Sequence, residues 1–433
     1  MNSENVKKNV PFLKHDCNLL HSYQLVKSDK QVLNLHKDQL YSTHHSTIHD
    51  YSLVPSNTFA EYPFTGSSWY TDFNLPKIPL CYNSFVLRFK LTSNNPTDTF
   101  YYLPIPMLLE RVVLLKNSTV LNEVNSEDIF LYNLHKISNK YDTSHSDFDY
   151  LCQLGLTNEI DNTKNFVSPF FLNNRVNTPN IYNCEIPLCL TNSNFLSSAI
   201  KNDLVIRFYW RGNIVISDYG SNSNIKMSDL KLMLRMKETS FNLLKEPKLN
   251  HLFTKKILTK INIPKLDANN YYNINITGFN SVASFAFVFI REQDQNINFT
   301  NYRYYHEYKY AIDEVSLVDN TGKNILQSDI ILDRDYNRYL MSENLHQFAS
   351  VIHKLCPEYN DGHLFLIPFN YNGNLSYNSG FNGGYSFQSN VDYKIKFKSL
   401  NSSNNSVILN ILWFSPTILD LENGNLREIL SSN

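Results

Sequence analysis

Apolar residues recur at every second position along Ser84-Phe-Val-Leu-Arg-Phe-Lys-Leu-Thr92, which sets Phe85, Leu87, Phe89 and Leu91 on one face of an extended chain. Leu230, Leu232, Leu234 and Met236 repeat the pattern. A period of two buries one face of a strand and wets the other, so each such segment must lie in a sheet with its apolar side covered. The pattern recurs along the chain. Leu108 to Val120 reads as a long apolar strand with a turn at Lys116-Asn117, Tyr182 to Leu190 as an extended run, and Leu204 to Trp210 as a further strand. Ser126-Glu127-Asp128 can cap a short helix across Ile129, Leu131 to Leu134 and Ile137, and Asn194 to Ile200 a helical turn.

The same grammar returns after a Lys- and Pro-containing stretch. Ile257 to Ile263, Tyr272 to Thr277, Ser281 to Ile290, Tyr310 to Val318, Leu364 to Phe369, Lys394 to Lys398 and Val407 to Phe414 read as strands. Asp335 to Leu355 reads as a helix through Leu340, Leu345, Phe348, Ile352 and Leu355. With 433 residues the chain is long enough for two cores. The expected division is an arm over 1–50, a first unit over 51–240, a linker over 241–256 and a second unit over 257–433. Each unit has about eight short strands with a helix inserted near the middle. Strands of this kind close their alternating faces as sandwiches or barrels. The expected fold class is all-β, two tandem eight-stranded jelly rolls with short inserted helices, although alternation by itself does not separate a jelly roll from an immunoglobulin-type sandwich.

Composition narrows the function. Charged residues are only 18% and the net charge is −1, so the whole chain has no electrostatic pull toward DNA or an anionic membrane. Tyr and Phe reach 28 each, which suits half-buried pleated surfaces and protein interfaces, and Gly is only 12, which disfavours glycine-rich phosphate loops. Met1-Asn2-Ser3-Glu4 opens no apolar run, and no stretch approaches the roughly 20 apolar residues of a membrane-spanning helix. A protein made in the cytosol or nucleus and not secreted is expected, with Cys17, Cys81, Cys152, Cys184, Cys189 and Cys356 as reduced thiols.

The order of four motifs resembles the double jelly-roll major capsid proteins of DNA viruses, most of all those of virophages and polinton-like viruses. Tectiviruses, adenoviruses and large nucleocytoplasmic viruses belong to the wider lineage. The motifs are Trp69-Tyr-Thr-Asp-Phe-Asn-Leu75 ahead of the strand at 84–92, and Leu109-Glu-Arg-Val-Val-Leu-Leu-Lys-Asn-Ser-Thr-Val-Leu121 before the first helix. The other two are Glu185-Ile-Pro-Leu-Cys-Leu190 with Leu204-Val-Ile-Arg-Phe208, and Leu366-Ile-Pro-Phe369 with Ser379-Gly380 and Tyr393-Lys-Ile-Lys-Phe397. The resemblance spans residues 51 to 415. It implies a virion component that assembles as pseudo-hexagonal homotrimers into an icosahedral shell. Implied partners are neighbouring capsomers, penton and minor capsid proteins, with an internal membrane as a further candidate, and no sequence-specific nucleic-acid binding. A scaffold or minor capsid role on the same fold, and a carbohydrate-binding or carbohydrate-active β-sandwich, are the alternatives.

No residue is assigned a catalytic, cofactor-binding or metal-binding role. Asp142 to Asp149 and Asp333-Arg334-Asp335 read as loop and helix-start residues, because aspartate favours turns and N-caps. His45 and His49 stand four apart, as metal ligands on a helix do, but lack a Cys or acidic partner and a helical pattern. In Tyr302-Arg-Tyr-Tyr-His-Glu-Tyr-Lys-Tyr310 the rings of Tyr302, Tyr304, Tyr308 and Tyr310 share a strand face, which points to sheet packing or an interface rather than base stacking. The lysines of 245–260 read as a solvated linker.

Overall fold

A computed structural model of the chain describes residues 48–56, 62–63, 69–93, 105–140, 180–211, 225–238, 248–292, 310–326, 332–344, 362–369 and 384–429. In the first half eight main strands follow one another: β1 (Ile48–Leu53), β2 (Trp69–Asn74), β3 (Cys81–Ser93), β4 (Leu109–Lys116), β5 (Thr119–Asn125), β6 (Asn180–Glu185), β7 (Leu204–Trp210) and β8 (Ile225–Lys237), and the two-residue strand Tyr62–Pro63 also pairs with β8. Helix α1 (Ser126–Lys140) lies between β5 and β6. The second half gives β9 (Lys248–Ile263), β10 (Tyr271–Ile276), β11 (Phe285–Glu292), β12 (Ile312–Val318), β13 (Leu332–Asp333), β14 (Phe365–Pro368), β15 (Tyr393–Ser399) and β16 (Val407–Glu422). Helix α2 (Arg334–Asn344) lies between β13 and β14, and β17 (Asn425–Ile429) returns along β16.

Every described ladder is antiparallel. The first half forms sheets in the order β1-β8-β3-β6 and β2-β7-β4-β5; the second forms β9-β16-β11-β14 and β10-β15-β12-β13. Adding eight to each strand of the first half gives the second half, helix position included. In both halves the first strand pairs the eighth, the second the seventh, the third the sixth and the fourth the fifth. That is a long antiparallel hairpin doubled over on itself, the jelly roll.

Alternation supplies the cores. Strand β7 is buried at every second residue, and Phe73, Phe89, Phe208 and Trp210 meet inside the first roll, where the Trp210 ring stacks on Trp69 at 5.0 Å. The indole N–H of Trp210 donates to Thr71 Oγ1 at 3.0 Å, so this buried donor is satisfied. In the second roll Trp413 stacks on Phe279 at 4.3 Å and donates to Thr259 Oγ1 at 2.9 Å, with Phe387 across its edge. The hairpin between β4 and β5 turns on Asn117 and Ser118, both at positive φ, as a two-residue turn matched to sheet twist requires. The turn expected at Lys116-Asn117 falls one residue later, at Asn117 and Ser118.

The linker expected over 241–256 is corrected at its second part. Strand β9 begins at Lys248 and pairs with β16 over its whole length. The arm expected over 1–50 is corrected likewise at its end, since Ile48 to Leu53 pair with β8; residues 1–47 lie outside the described residues. The helix expected over 335–355 is present from Arg334 to Asn344, and 345–361 lie outside the described residues.

Candidate functional site at the seam between the rolls

The two rolls meet where β5, the first turn of α1 and the segment 186–203 of the first face β9, β11 and the β16–β17 hairpin of the second. Registers fix which side chains point there. Phe285, Phe287, Phe289 and Arg291 of β11 share a face with Phe414, Leu412, Asn410 and Ile408 of β16, and Lys256 and Lys260 of β9 lie on it too. Ala286, Val288 and Ile290 point the other way, with Trp413, into the second roll. Strand β11 is consequently buried on both sides.

Charge is drawn into this seam and matched there. Glu127, 1% exposed, pairs with Arg291, 6% exposed, and shares a hydrogen bond with Ser126 Oγ at 3.0 Å, which in turn accepts from Arg211 Nη2 at 3.0 Å. Burial would raise the Glu127 carboxyl, but the nearby Arg291, Lys260 and Arg211 outweigh it and hold the group down at about 2. Asp128 faces Lys256, whose ammonium is lowered by burial and lies 5.8 Å from the Tyr132 ring centre. Burial and then Glu185 push the Tyr132 phenol up, and its O–H donates to Glu185 Oε1 at 3.2 Å. Asn133 ties α1 to β6 by donating to Glu185 O at 2.8 Å and accepting from Glu185 N at 3.1 Å.

A second set of bonds closes the outer end of the seam. Lys116 Nζ donates to Leu426 O at 2.9 Å, Leu426 N to Asn202 Oδ1 at 2.8 Å, and Lys201 N to Gly424 O at 2.8 Å. Lys255 holds Glu428 through both carboxylate oxygens at 2.8 and 2.9 Å. Between these sets lies a cavity of about 140 Å³ lined by Asn122, Tyr132, Cys189, Thr191, His251 and Lys256, among others. Burial and Lys237 lower the His251 imidazole to about 4, partly offset by a bond with the Thr191 backbone, so the ring is neutral at pH 7. The arrangement is mechanical. It joins the two rolls through a buried ion pair and hydrogen bonds, and among the described residues no three His, Cys, Asp or Glu side chains are grouped to hold a metal.

The residues weighed in the sequence fall elsewhere. Asp333 Oδ1 accepts from Tyr336 N at 2.8 Å, the N-cap of α2. His49 lies on strand β1 and bonds Glu238 Oε1 at 2.9 Å; His45 lies outside the described residues, as do Asp142 to Asp149 and Tyr302 to Lys309. Tyr310 is buried and donates to Glu292 Oε1 at 2.7 Å. Lys255 and Lys256, expected in a solvated linker, are seam residues. The strand carrying them has one face against the other roll, and no polar alternation marks it. Cys81, Cys184 and Cys189 are buried free thiols, and no described helix is long and apolar enough to cross a membrane.

No protein-family model matches the sequence, and no curated protein matches it. Solved structures do. PBCV-1 VP54, fitted into a cryo-EM reconstruction of the virophage Sputnik, superposes with a TM-score of 0.62 at 10% identity over 90% of this chain and 97% of that one. The fold is the double jelly roll. The Faustovirus major capsid protein matches this double jelly roll at a TM-score of 0.55, 10% identity and 86% and 90% coverage. A chain of the Sputnik virophage matches at 0.53, 12% identity and 89% of both chains. The double jelly roll thus extends over nearly the whole chain, and the seam described above is the junction of its halves.

Proposed function

We propose that this chain is a major capsid protein, a structural unit of a DNA-virus shell that carries no catalytic site. The observation that carries the reading is coverage: the match to VP54 takes in 90% of this chain and 97% of that one. The seam supports it, because buried ion pairs and a doubly covered β11 make the two rolls one stiff wedge suited to tiling. Copies of the chain associate as homotrimers with six similar lobes, which pack hexagonally into an icosahedral shell within the virion. Penton and minor capsid proteins close the shell. The test is to express the full chain alone and image it by negative-stain electron microscopy. Six-lobed capsomers, sheets or closed particles are the expected result; a uniform field of single wedges under all salt conditions contradicts the reading.

A further inference from the structure

Two polar atoms sealed from solvent, His251 Nε2 and Thr191 Oγ1, belong to residues lining the seam cavity and make no hydrogen bond among the described residues. A buried donor or acceptor left unanswered costs about as much as a lost hydrogen bond, so each calls for a partner. Other polar side chains lining the cavity are answered from within the protein. Asn122 Oδ1 accepts from Cys189 N at 3.1 Å, the Tyr132 O–H donates to Glu185, and Lys256 faces Asp128. The second ring nitrogen of His251 bonds the Thr191 backbone, so the neutral ring offers Nε2 as an acceptor.

The rest of the wall is largely apolar. Val124 and Leu188, both buried, line it from the first roll, and Leu252 and Phe253 from the second. The volume is about 140 Å³. An apolar cavity of about 150 Å³ takes up benzene, so the space fits one six-membered ring. Water is a poor filler here, because a buried water ordinarily makes about three hydrogen bonds and several waters would share two unanswered atoms.

Charge narrows the ligand further. Lys237 already opposes a positive charge on His251, which disfavours a cation, and an anion carries no hydrogen for Nε2. A neutral hydroxyl meets both needs, since it donates to the imidazole and accepts from the Thr191 hydroxyl.

We infer that the seam cavity is a binding site for a small neutral aromatic alcohol. Its ring packs on Val124, Leu188, Leu252 and Phe253, and its hydroxyl bridges His251 Nε2 and Thr191 Oγ1. The ligand touches β5 and the segment 186–203 of the first roll and β9 of the second, so it binds only the closed seam and stabilises the joined chain. The site lies within one chain and does not depend on the proposed assembly.

The test titrates the full chain with phenol, anisole and benzene, followed by ligand-observed NMR and by thermal denaturation. Phenol is expected to bind about tenfold more tightly than anisole or benzene, which lack the donor, and to raise the denaturation midpoint as its concentration rises. Irradiation with 3-azidophenol is expected to label peptides that include 187–192 or 251–256. In His251→Leu phenol should lose its advantage while benzene still binds, and Thr191→Val should weaken phenol without weakening benzene. Equal binding of the three compounds overturns the inference, as do labels confined to other peptides and an undiminished preference for phenol in both variants. Uptake of none of the three, the outcome for a cavity that holds water alone, overturns it too.

Discussion

Helix α1 and helix α2 fill the same slot in two copies of one topology, and the difference between them is their environment, not their fold. Around α1 the first-turn charges Glu127 and Asp128 are sealed away and answered by Arg291, Arg211 and Lys256 from other elements. Around α2 the first-turn charge Asp335 meets Arg338 of its own helix at 3.1 Å in the open. Buried ions contribute only when each finds its partner, so α1 depends on the neighbouring roll, while α2 stands without one in the single chain. The sheets tell the same story, with β11 buried on both faces and β3 on one. The same inserted helix is thus sealed in one roll and open in the other.

The comparison breaks most sharply at its charges. Glu127→Ala removes the carboxylate that Arg291 meets in the buried seam, and is expected to destabilise the chain by about 3–5 kcal/mol in urea denaturation. Asp335→Ala at the equivalent place is expected to leave the denaturation midpoint of the isolated chain unchanged. Equal effects would mean that the two helices are not differently placed.

Acid probes the same seam. Glu127 and His251 both have folded pKa values below their ordinary ones, so each contributes stability at neutral pH that is lost on acidification. For His251 the loss begins as pH falls below 6.5 and is complete below about 4; for Glu127 it runs from 4.5 to about 2. Below pH 7 the denaturation midpoint is expected to fall in these two stages. In His251→Leu the upper stage should vanish, and a persistent upper stage would place its cause outside the seam.

A smaller effect is expected at the hairpin between β16 and β17. Gly424 sits at φ +84°, and a Cβ there would come within 2.6 Å of Lys201 Cγ and 3.0 Å of Ala199 O. Gly424→Ala is expected to cost about 1–2 kcal/mol by strain and by loosening the outer end of the seam. Least of all, Asp333→Ala removes the N-cap of α2 and should cost about 1 kcal/mol, detectable as lower helical signal and a modestly lower midpoint.

Much of the fold was legible in the sequence, for a physical reason. Strands with one wet face, such as Leu204–Trp210 and Tyr393–Ser399, print their burial directly as alternation. The polar starts of both helices were legible too, since Ser126-Glu127-Asp128 and Asp333 are capping residues. The seam was harder to read. Strand β9 has one face against the other roll, so Lys248 to Lys256 lose the polar alternation and resemble a linker, and a Lys in sequence gives no sign that Asp128 waits beside it. One signal did point to the seam. Phe285 to Ile290 run apolar on both faces, which a strand with a solvated side does not do. Strands β1 and β17 escaped the reading because they are edge strands, largely exposed and with short or weak patterns.

The central claim, that copies of this double jelly roll associate with one another, is tested most directly by weighing the purified protein in solution across a concentration series. The account predicts a dominant species of three times 50.5 kDa that persists to low micromolar concentration and gives way to larger assemblies as concentration rises. A single species of 50.5 kDa at every concentration and salt would contradict it.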